Sequence, residues 1–204
     1  MRAVSLNPST VEALPLQCHP ATPCAHPLTL SASLAGAAAK GLQLRFELQG
    51  DVQRIRLPEP TRPGPADGLW QHTCFEAFIG VAGEAAYREY NFSPSNQWAA
   101  YRFSDQRQRD TAAESRASPV EPVVNLAVTG QLLCLNAWLP LSALPLVQSG
   151  QAWDLGLSAV IETVDGQISY WALCHPDARP DFHHRGGWQR LTGLSALLQP
   201  PAVP

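Results

Sequence analysis

The chain has 204 residues, 45% of them hydrophobic, which is enough to bury the core of one domain. Lysine and arginine number 14 against 17 aspartates and glutamates, a balance that excludes the basic stripe of a nucleic-acid binder. The 19 prolines exclude a bundle of long helices, and no stretch approaches the ~20 apolar residues of a membrane-spanning helix. We therefore expect neither a nucleic-acid nor a membrane partner.

Proline content and residue alternation divide the chain into three parts. Residues 1–27 are predicted to form a proline-rich N-terminal arm, residues 28–199 a single domain, and residues 200–204 a tail. The domain opens on a period-two pattern: in LQLRFEL, four apolar side chains alternate with polar ones. This pattern is typical of a half-buried strand.

Strands continue to dominate the prediction after the proline and glycine loop at 58–68. The segments TCFEAFIGV, YREYNFS and QWAAYRF are predicted to be strands, and the polar, mixed-charge stretch 104–118 is predicted to be a long loop. Four further strands are predicted in VVNLAV, LLCLNAWL, LGLSAVIETV and QISYWAL. Helix is expected only as short turns, in PLSALPLV and in TGLSALL near the C-terminus.

Turn residues join these strands into hairpins. Thr129-Gly130 separates two of them, and Asp165-Gly166 separates SAVIETV from QISYWAL. Many short strands without alternating helices predict an all-β fold. We expect a two-sheet antiparallel β-sandwich, jelly-roll or immunoglobulin-like, with short helical turns.

Aromatic and polar side chains share faces of the predicted strands. In GLWQHTCFEAFIGV, Phe75, Ala77 and Ile79 fall on a face suited to the core, while Trp70 and Glu76 fall on the other. Aromatic rings stack on sugars, and planar polar groups hold sugar hydroxyls. The competing interpretation is that the aromatic rings belong to the core. The candidate ligand-binding residues are Trp70, His72, Glu76, Arg88, Asn91, Trp98, Arg102, Glu162, Trp171, His175 and His183.

A histidine and carboxylate set supports an alternative hypothesis, that of a metal-dependent or acid/base enzyme. Histidine titrates near neutral pH and is the commonest metal ligand. Glu76 and Glu162 are a second candidate pair, for acid/base work on a glycoside. The sequence contains no nucleophile elbow, phosphate loop or zinc motif, so no catalytic residue, metal ligand or cofactor is assigned. The histidine set is His72, Glu76, His175, Asp181, His183 and His184.

The loop CHPDARPDFHH is predicted to be structural. Pro176 and Pro180 restrict the backbone, and Asp181 is placed to accept a hydrogen bond from an N–H one or two residues on. This turn should direct Phe182 inward. The rings of His183 and His184 should then diverge, one against the sandwich and the other toward solvent.

Four segments, taken in order, resemble the bacterial DOMON-like proteins, which look like relatives of the family-9 carbohydrate-binding modules. They are GLWQHTCFEAFI, YREYNFSPSNQWAAYRF, LSAVIETVDGQISYWALCHP and RPDFHH. The resemblance runs from about residue 28 to about residue 192 and implies a β-sandwich with a ligand pocket. Haem-binding DOMON domains hold iron through a methionine and a histidine. The sole methionine is Met1, so haem is not expected.

The resulting expectation is a non-catalytic β-sandwich that binds a carbohydrate or a similar small polar molecule. A cytoplasmic location is expected for two reasons. The N-terminus lacks the ~7–15-residue apolar region of a signal peptide. The five cysteines are odd in number and scattered, which is unlike a disulfide framework.

Overall fold

The computed structural model describes residues 3–5, 13–37, 41–148 and 150–192. The predicted tail and nearly all of the predicted helix TGLSALL lie outside these residues. Within them the chain is mostly β, and no helix is long and apolar enough to cross a membrane. The strands are β1 (Ala3–Ser5), β2 (Ala13–Cys18), β3 (Thr29–Ala37), β4 (Gly41–Gln49), β5 (Gly64–Pro65), β6 (Cys74–Val81), β7 (Tyr87–Phe92), β8 (Gln97–Asp105), β9 (Gln108–Arg109), β10 (Val123–Thr129), β11 (Leu132–Pro140), β12 (Trp153–Glu162), β13 (Ile168–Ala172) and β14 (Gln189–Thr192).

Helical structure is short, as expected. One α-helix, α1, spans Thr111–Arg116 in the described chain. The predicted turn in PLSALPLV is confirmed as a 3-10 turn at Leu141–Ala143. The other 3-10 turns are Val52–Arg54, Leu69–Gln71 and Arg185–Gly187.

The strands pair into one curled, mixed sheet. Along the main path the order is β10-β11-β4-β3-β2-β13-β12-β6-β7-β8-β5. β14 pairs with β1 and with β12, and β9 pairs with β8. Pairing is antiparallel except between β1 and β14 and between β5 and β8. Both predicted hairpin turns are confirmed: Gly130 and Gly166 adopt positive φ angles of 56° and 84° between paired strands.

The hydrogen bonding corrects the prediction of two separate sheets. In β2, Ala13 to Leu16 pair with β3, while Gln17 and Cys18 pair with β13. This strand from the predicted N-terminal arm therefore joins two halves of one continuous sheet. We call β10, β11, β4 and β3 the first half-sheet, and β13, β12, β6, β7 and β8 the second half-sheet.

The main core lies between the two half-sheets. Leu42, Leu44, Phe46 and Leu48 of β4 are fully buried there, as their alternation predicts. The rings of Phe46 in β4 and Phe75 in β6 lie 5.3 Å apart between centroids. Because these strands lie far apart along the sheet, the contact shows that the sheet curls back on itself. The inner face of the second half-sheet is the face in this core, and the outer face is the opposite one.

Candidate functional site

A cavity of about 630 Å³ opens on the outer face of the second half-sheet. It is bounded by strand residues of β6, β7, β8, β12 and β13 and by residues of the flanking loops. The lining includes aromatic rings, carboxyl groups and arginines, a combination found where polar ligands are bound. The lining residues are Thr22, Asp67, Trp70, Glu76, Phe78, Glu89, Tyr101, Phe103, Arg107, Arg109, Val160, Tyr170, Arg179, Pro180, Phe182 and His183.

An aromatic cluster separate from the main core lies on the outer face beside the cavity. We call it the second aromatic cluster, and it includes Phe78, Tyr87, Phe103 and Trp188. The rings of Tyr87 and Phe103 stack with centroids 4.8 Å apart and an interplanar angle of 2°. Trp188 packs against Phe78, at 5.8 Å between ring centroids. Trp188 can pack this closely because residue 156 is glycine, since a Cβ at that position would lie only 2.7 Å from the Trp188 ring. The cluster gives the cavity a preorganised apolar wall.

Two carboxyl groups lie deep in the cavity, on adjacent strands. Glu76 in β6 and Glu89 in β7 are 3% and 5% exposed. Burial, and then the charge of Glu89, raise the pKa of Glu76 well above its ordinary value. Burial raises the pKa of Glu89 to about 7, although the Asn91 amide, which donates a hydrogen bond to its Oε1 at 2.8 Å, acts in the opposite direction. Glu89 can therefore exchange a proton near neutral pH, and burial favours the neutral form of Glu76.

His183 stands next to this pair in the neutral form. Burial, and then the positive charge of Arg107, lower the pKa of His183 to about 4. The Tyr87 hydroxyl lies 2.7 Å from Nδ1 and itself accepts the Arg107 backbone N–H. His183 Nε2 lies 3.8 Å from Glu89 Oε2.

The predicted turn of the CHPDARPDFHH loop is present. Asp181 Oδ1 accepts a hydrogen bond from the His183 N–H at 3.0 Å. Phe182 is half-buried against the second aromatic cluster. The side chain of His183 is 16% exposed and that of His184 is 38% exposed, so the two rings diverge as predicted. Asp181 does more than close the turn, because it also pairs with Arg107 at 2.8 Å.

The short helix α1 holds Arg109 in the wall of the cavity. This helix lies in the stretch 104–118, which the sequence predicts to be a long loop. Helix α1 begins after Asp110, whose Oδ1 accepts the Ala113 N–H at 2.8 Å. Glu114 of α1 binds Arg109, with Nη2 to Oε2 at 3.0 Å, and accepts the Arg102 backbone N–H at 2.9 Å. The guanidinium of Arg109 lies 4.3 Å over the Tyr101 ring. The ordered helix therefore fixes one side of the cavity.

The cavity mouth is polar where the loop at 58–68 meets β8. The Tyr101 hydroxyl donates a short hydrogen bond to Asp67. This bond lowers the pKa of Asp67, while burial and then the same bond raise the pKa of Tyr101. Trp70 lies nearby with 52% of its surface exposed. A large, accessible ring and an ionised carboxylate therefore line the same cavity.

The cavity brings together three of the predicted ligand residues: Trp70, Glu76 and His183. Asn91 lies behind it and supports Glu89. His72 and Glu162 are outside, because Glu162 binds His72 Nδ1 at 2.8 Å and Arg56 Nη1 at 3.0 Å. The proposed acid/base pair of Glu76 and Glu162 is thus corrected: the acidic neighbour of Glu76 in the cavity is Glu89.

Four predicted ligand residues lie on the inner face and not in the cavity. Trp171 is 6% exposed in the core, so its ring has no free face for stacking. Trp98 packs on the same core. Arg88 donates to backbone carbonyls, including that of Ser142 at 3.2 Å. Arg102 in β8 lies opposite Arg88 in β7 and therefore on the same inner face.

The histidine set does not converge on a metal centre. His175 Nε2 binds the Gln17 carbonyl at 2.8 Å and its ring contacts His19, away from the cavity. His184 turns away from His183 and accepts the Gly186 N–H at 3.0 Å. Across the residues that the structure describes, no group of three or more His, Cys, Asp or Glu side chains is placed to hold a metal ion.

Sequence patterns left out several residues of the cavity. Glu89 could have been found, because strand alternation places it with Asn91 and opposite Arg88 on β7. Arg107 and Arg109 could not, since they follow β8 in a stretch without periodicity. Arg179 and Tyr170 reach the cavity only through the curl of the sheet and the path of the loop.

No family model matches the chain, and no curated protein matches it. Among solved structures, it is similar to a protein from Bacteroides uniformis ATCC 8492 provisionally described as carbohydrate-binding. The TM-score is 0.65 and the identity 13%, over 93% of this chain and 98% of that one.

The chain is also similar to a family-9 carbohydrate-binding module from Caldicellulosiruptor kristjanssonii. With its cellotriose complex the TM-score is 0.59 at 11% identity, over 100% of this chain and 99% of that one. With its glucose complex the TM-score is 0.55 at 10% identity, over 94% and 95%. These similarities show the fold that the chain shares with carbohydrate-binding modules. The DOMON-like assignment stays an expectation from sequence.

Proposed function

We propose that this protein binds a carbohydrate, without catalysis, in the cavity on the outer face of the second half-sheet. The observation that carries the proposal is the combination of an exposed Trp70 ring with the buried carboxyl groups of Glu76 and Glu89 in one cavity. A ring of this kind stacks on the C–H face of a sugar. Carboxyl oxygens accept or donate hydrogen bonds to its hydroxyls.

The size of the cavity also supports a sugar ligand. About 630 Å³ falls within the range of small-molecule pockets. The shared fold with carbohydrate-binding modules agrees with this assignment.

Isothermal titration with a panel of neutral and amino monosaccharides and their β-linked oligomers tests the proposal. We expect one or more sugars to bind, and Trp70→Ala to weaken that binding about fivefold or more. Leu146→Ala is the matched control, because Leu146 is 90% exposed and lies outside the cavity. Absence of heat with every sugar at millimolar concentration contradicts the proposal.

A second candidate is acid/base hydrolysis of a glycoside. One observation favours it: Glu76 and Glu89 share the cavity and both have a raised pKa. A glycosidase needs one protonated and one ionised carboxyl beside the bond that it cleaves. Incubation with nitrophenyl glycosides at pH 5 to 7 tests it. Turnover that is lost in Glu89→Gln would replace the binding proposal.

A further inference from the structure

The deep carboxyl groups of the cavity lack a cationic partner. Glu76 forms no ion pair with any described residue, and the nearest basic ring to Glu89 is that of His183, at 3.8 Å. His183 is neutral at pH 7, because burial lowers its pKa to about 4. Two buried carboxyl groups without a cation are costly when ionised. A cation at this position would stabilise both.

The arginines of the cavity form no ion pair with Glu76 or Glu89 in the described chain. Arg107 is held by Asp181 at 2.8 Å, and Arg109 is held by Glu114 at 3.0 Å. Their charges lower the pKa of Glu89 without a direct contact. The remaining cavity arginine, Arg179, is exposed, where solvent screens its charge.

The other titratable groups around the pair do not add positive charge. From β6, β7 and β8 these are Cys74, Tyr87 and Tyr101, each with its pKa raised by burial and therefore neutral. From the adjoining loop it is His183, also neutral at pH 7. Glu114 of α1 adds negative charge near Glu89. The floor of the cavity is therefore acidic, and the cations that act on Glu89, Arg107 and Arg109, do so without an ion pair to it.

The aromatic wall already accommodates a cation. The guanidinium of Arg109 lies 4.3 Å from the centre of the Tyr101 ring. Trp70 presents a further ring that is 52% exposed. Electron-rich faces of this kind attract an ammonium group as well as a guanidinium. The wall thus complements the acidic floor.

We propose that the cavity selects a sugar that carries a protonated amine, with the ammonium group held by Glu76 and Glu89. The inference rests on the proposed function, because the amine is part of the carbohydrate ligand. The rest of the sugar then lies toward the Trp70 ring. Charge-assisted hydrogen bonds from the ammonium group replace the missing ion pair.

Titration of matched sugar pairs tests the inference. The pairs are glucose with glucosamine, galactose with galactosamine, and mannose with mannosamine, at pH 7 and low salt. We expect the amino member of the bound pair to bind about tenfold more tightly than the neutral member. N-acetylated counterparts have the same skeleton without the charge and should bind like the neutral sugars.

The variants Glu76→Gln and Glu89→Gln should each reduce the amino-sugar preference, measured as the ratio of the neutral-sugar Kd to the amino-sugar Kd, about tenfold. Glu121→Gln, which removes an exposed carboxylate outside the cavity, is the control. Thermal unfolding of each variant verifies that it folds. Between pH 5 and pH 7, amino-sugar affinity should rise several-fold as Glu89, with its pKa of about 7, ionises.

The outcomes separate the two proposals. Equal or better binding of the neutral member of every bound pair overturns the amine inference and leaves carbohydrate binding intact. An amino-sugar preference that survives in both glutamine variants overturns the assignment to Glu76 and Glu89. No binding by any sugar overturns both proposals.

Discussion

The two faces of β6 differ in what buries them. Phe75, Ala77 and Ile79 on the inner face are excluded from water by the first half-sheet. Glu76 and Phe78 on the outer face are equally buried, although no second layer of sheet covers them within the described residues. Loop and hairpin residues cover the outer face and leave a cavity. Burial by a sheet gives a dry core, whereas burial by loops can retain polar groups and leave space for a ligand.

The largest expected effect sharpens this contrast at the inner face. Phe75→Ala removes a fully buried ring that packs on Phe46 and should cost about 3–5 kcal/mol in free energy of unfolding. Phe182→Ala, on the outer side, removes a half-buried ring and should cost clearly less. Urea unfolding measures both. Equal costs would mean that the loop cover is packed as tightly as the core.

The next prediction concerns the pH dependence of stability. The pKa of Glu89 is raised to about 7 in the folded state, from about 4.5. The folded state therefore binds more protons than the unfolded state between these values, and stability falls as pH rises through this window. Glu89→Gln removes that fall. The free energy of unfolding of the variant, relative to wild type, should therefore be roughly 3 kcal/mol higher at pH 8 than at pH 4.

His183→Asn is the control of opposite sign for that experiment. The pKa of His183 is lowered to about 4, so its contribution to stability is lost as pH falls from about 6.5 to about 4. The asparagine variant should lose less stability than the wild type on acidification. Thermal unfolding from pH 4 to pH 8 measures both variants. The same pH dependence in Glu89→Gln and wild type would contradict the burial of Glu89.

A smaller effect is expected in the loop that covers the outer face. Asp181→Ala removes the hydrogen bond to the His183 N–H and the pair with Arg107, and should cost about 1–2 kcal/mol. The Arg107 side chain is 58% exposed, which limits its share. Asp181→Asn keeps an acceptor for the turn and should cost about half as much. A loss in Asp181→Asn equal to that in Asp181→Ala would show that the ion pair dominates.

The smallest effect on stability should accompany the largest effect on binding. Trp70→Ala removes a ring that is 52% exposed and should change the free energy of unfolding by about 0.5 kcal/mol or less. Sugar binding should weaken, as measured by titration. A large loss of stability would mean that Trp70 packs on the outer face of the protein. It would then contribute to the folded scaffold and not to the ligand-binding surface.

Part of this site was predictable because its pattern is local. Alternation in GLWQHTCFEAFIGV separated Phe75 from Glu76, and the turn residues identified the hairpin at Asp165-Gly166. The Asp181 turn was predictable for the same reason, since its hydrogen bond reaches two residues along the chain. Arg88 was assigned to the site with Asn91, although strand alternation separates them onto opposite faces.

The sequence by itself determined strands β4, β6 to β8 and β10 to β13 and which of their side chains share a face, because both depend on the two-residue period of an extended backbone. The tertiary structure alone decided which faces meet. Three features show this: β2 bridges the two half-sheets, Glu76 pairs with Asn91 across β6 and β7, and Arg109 is anchored on α1. Each joins residues that are far apart in the chain or that lie in a stretch without periodicity. Such contacts depend on strand register and loop path, which the local pattern does not specify.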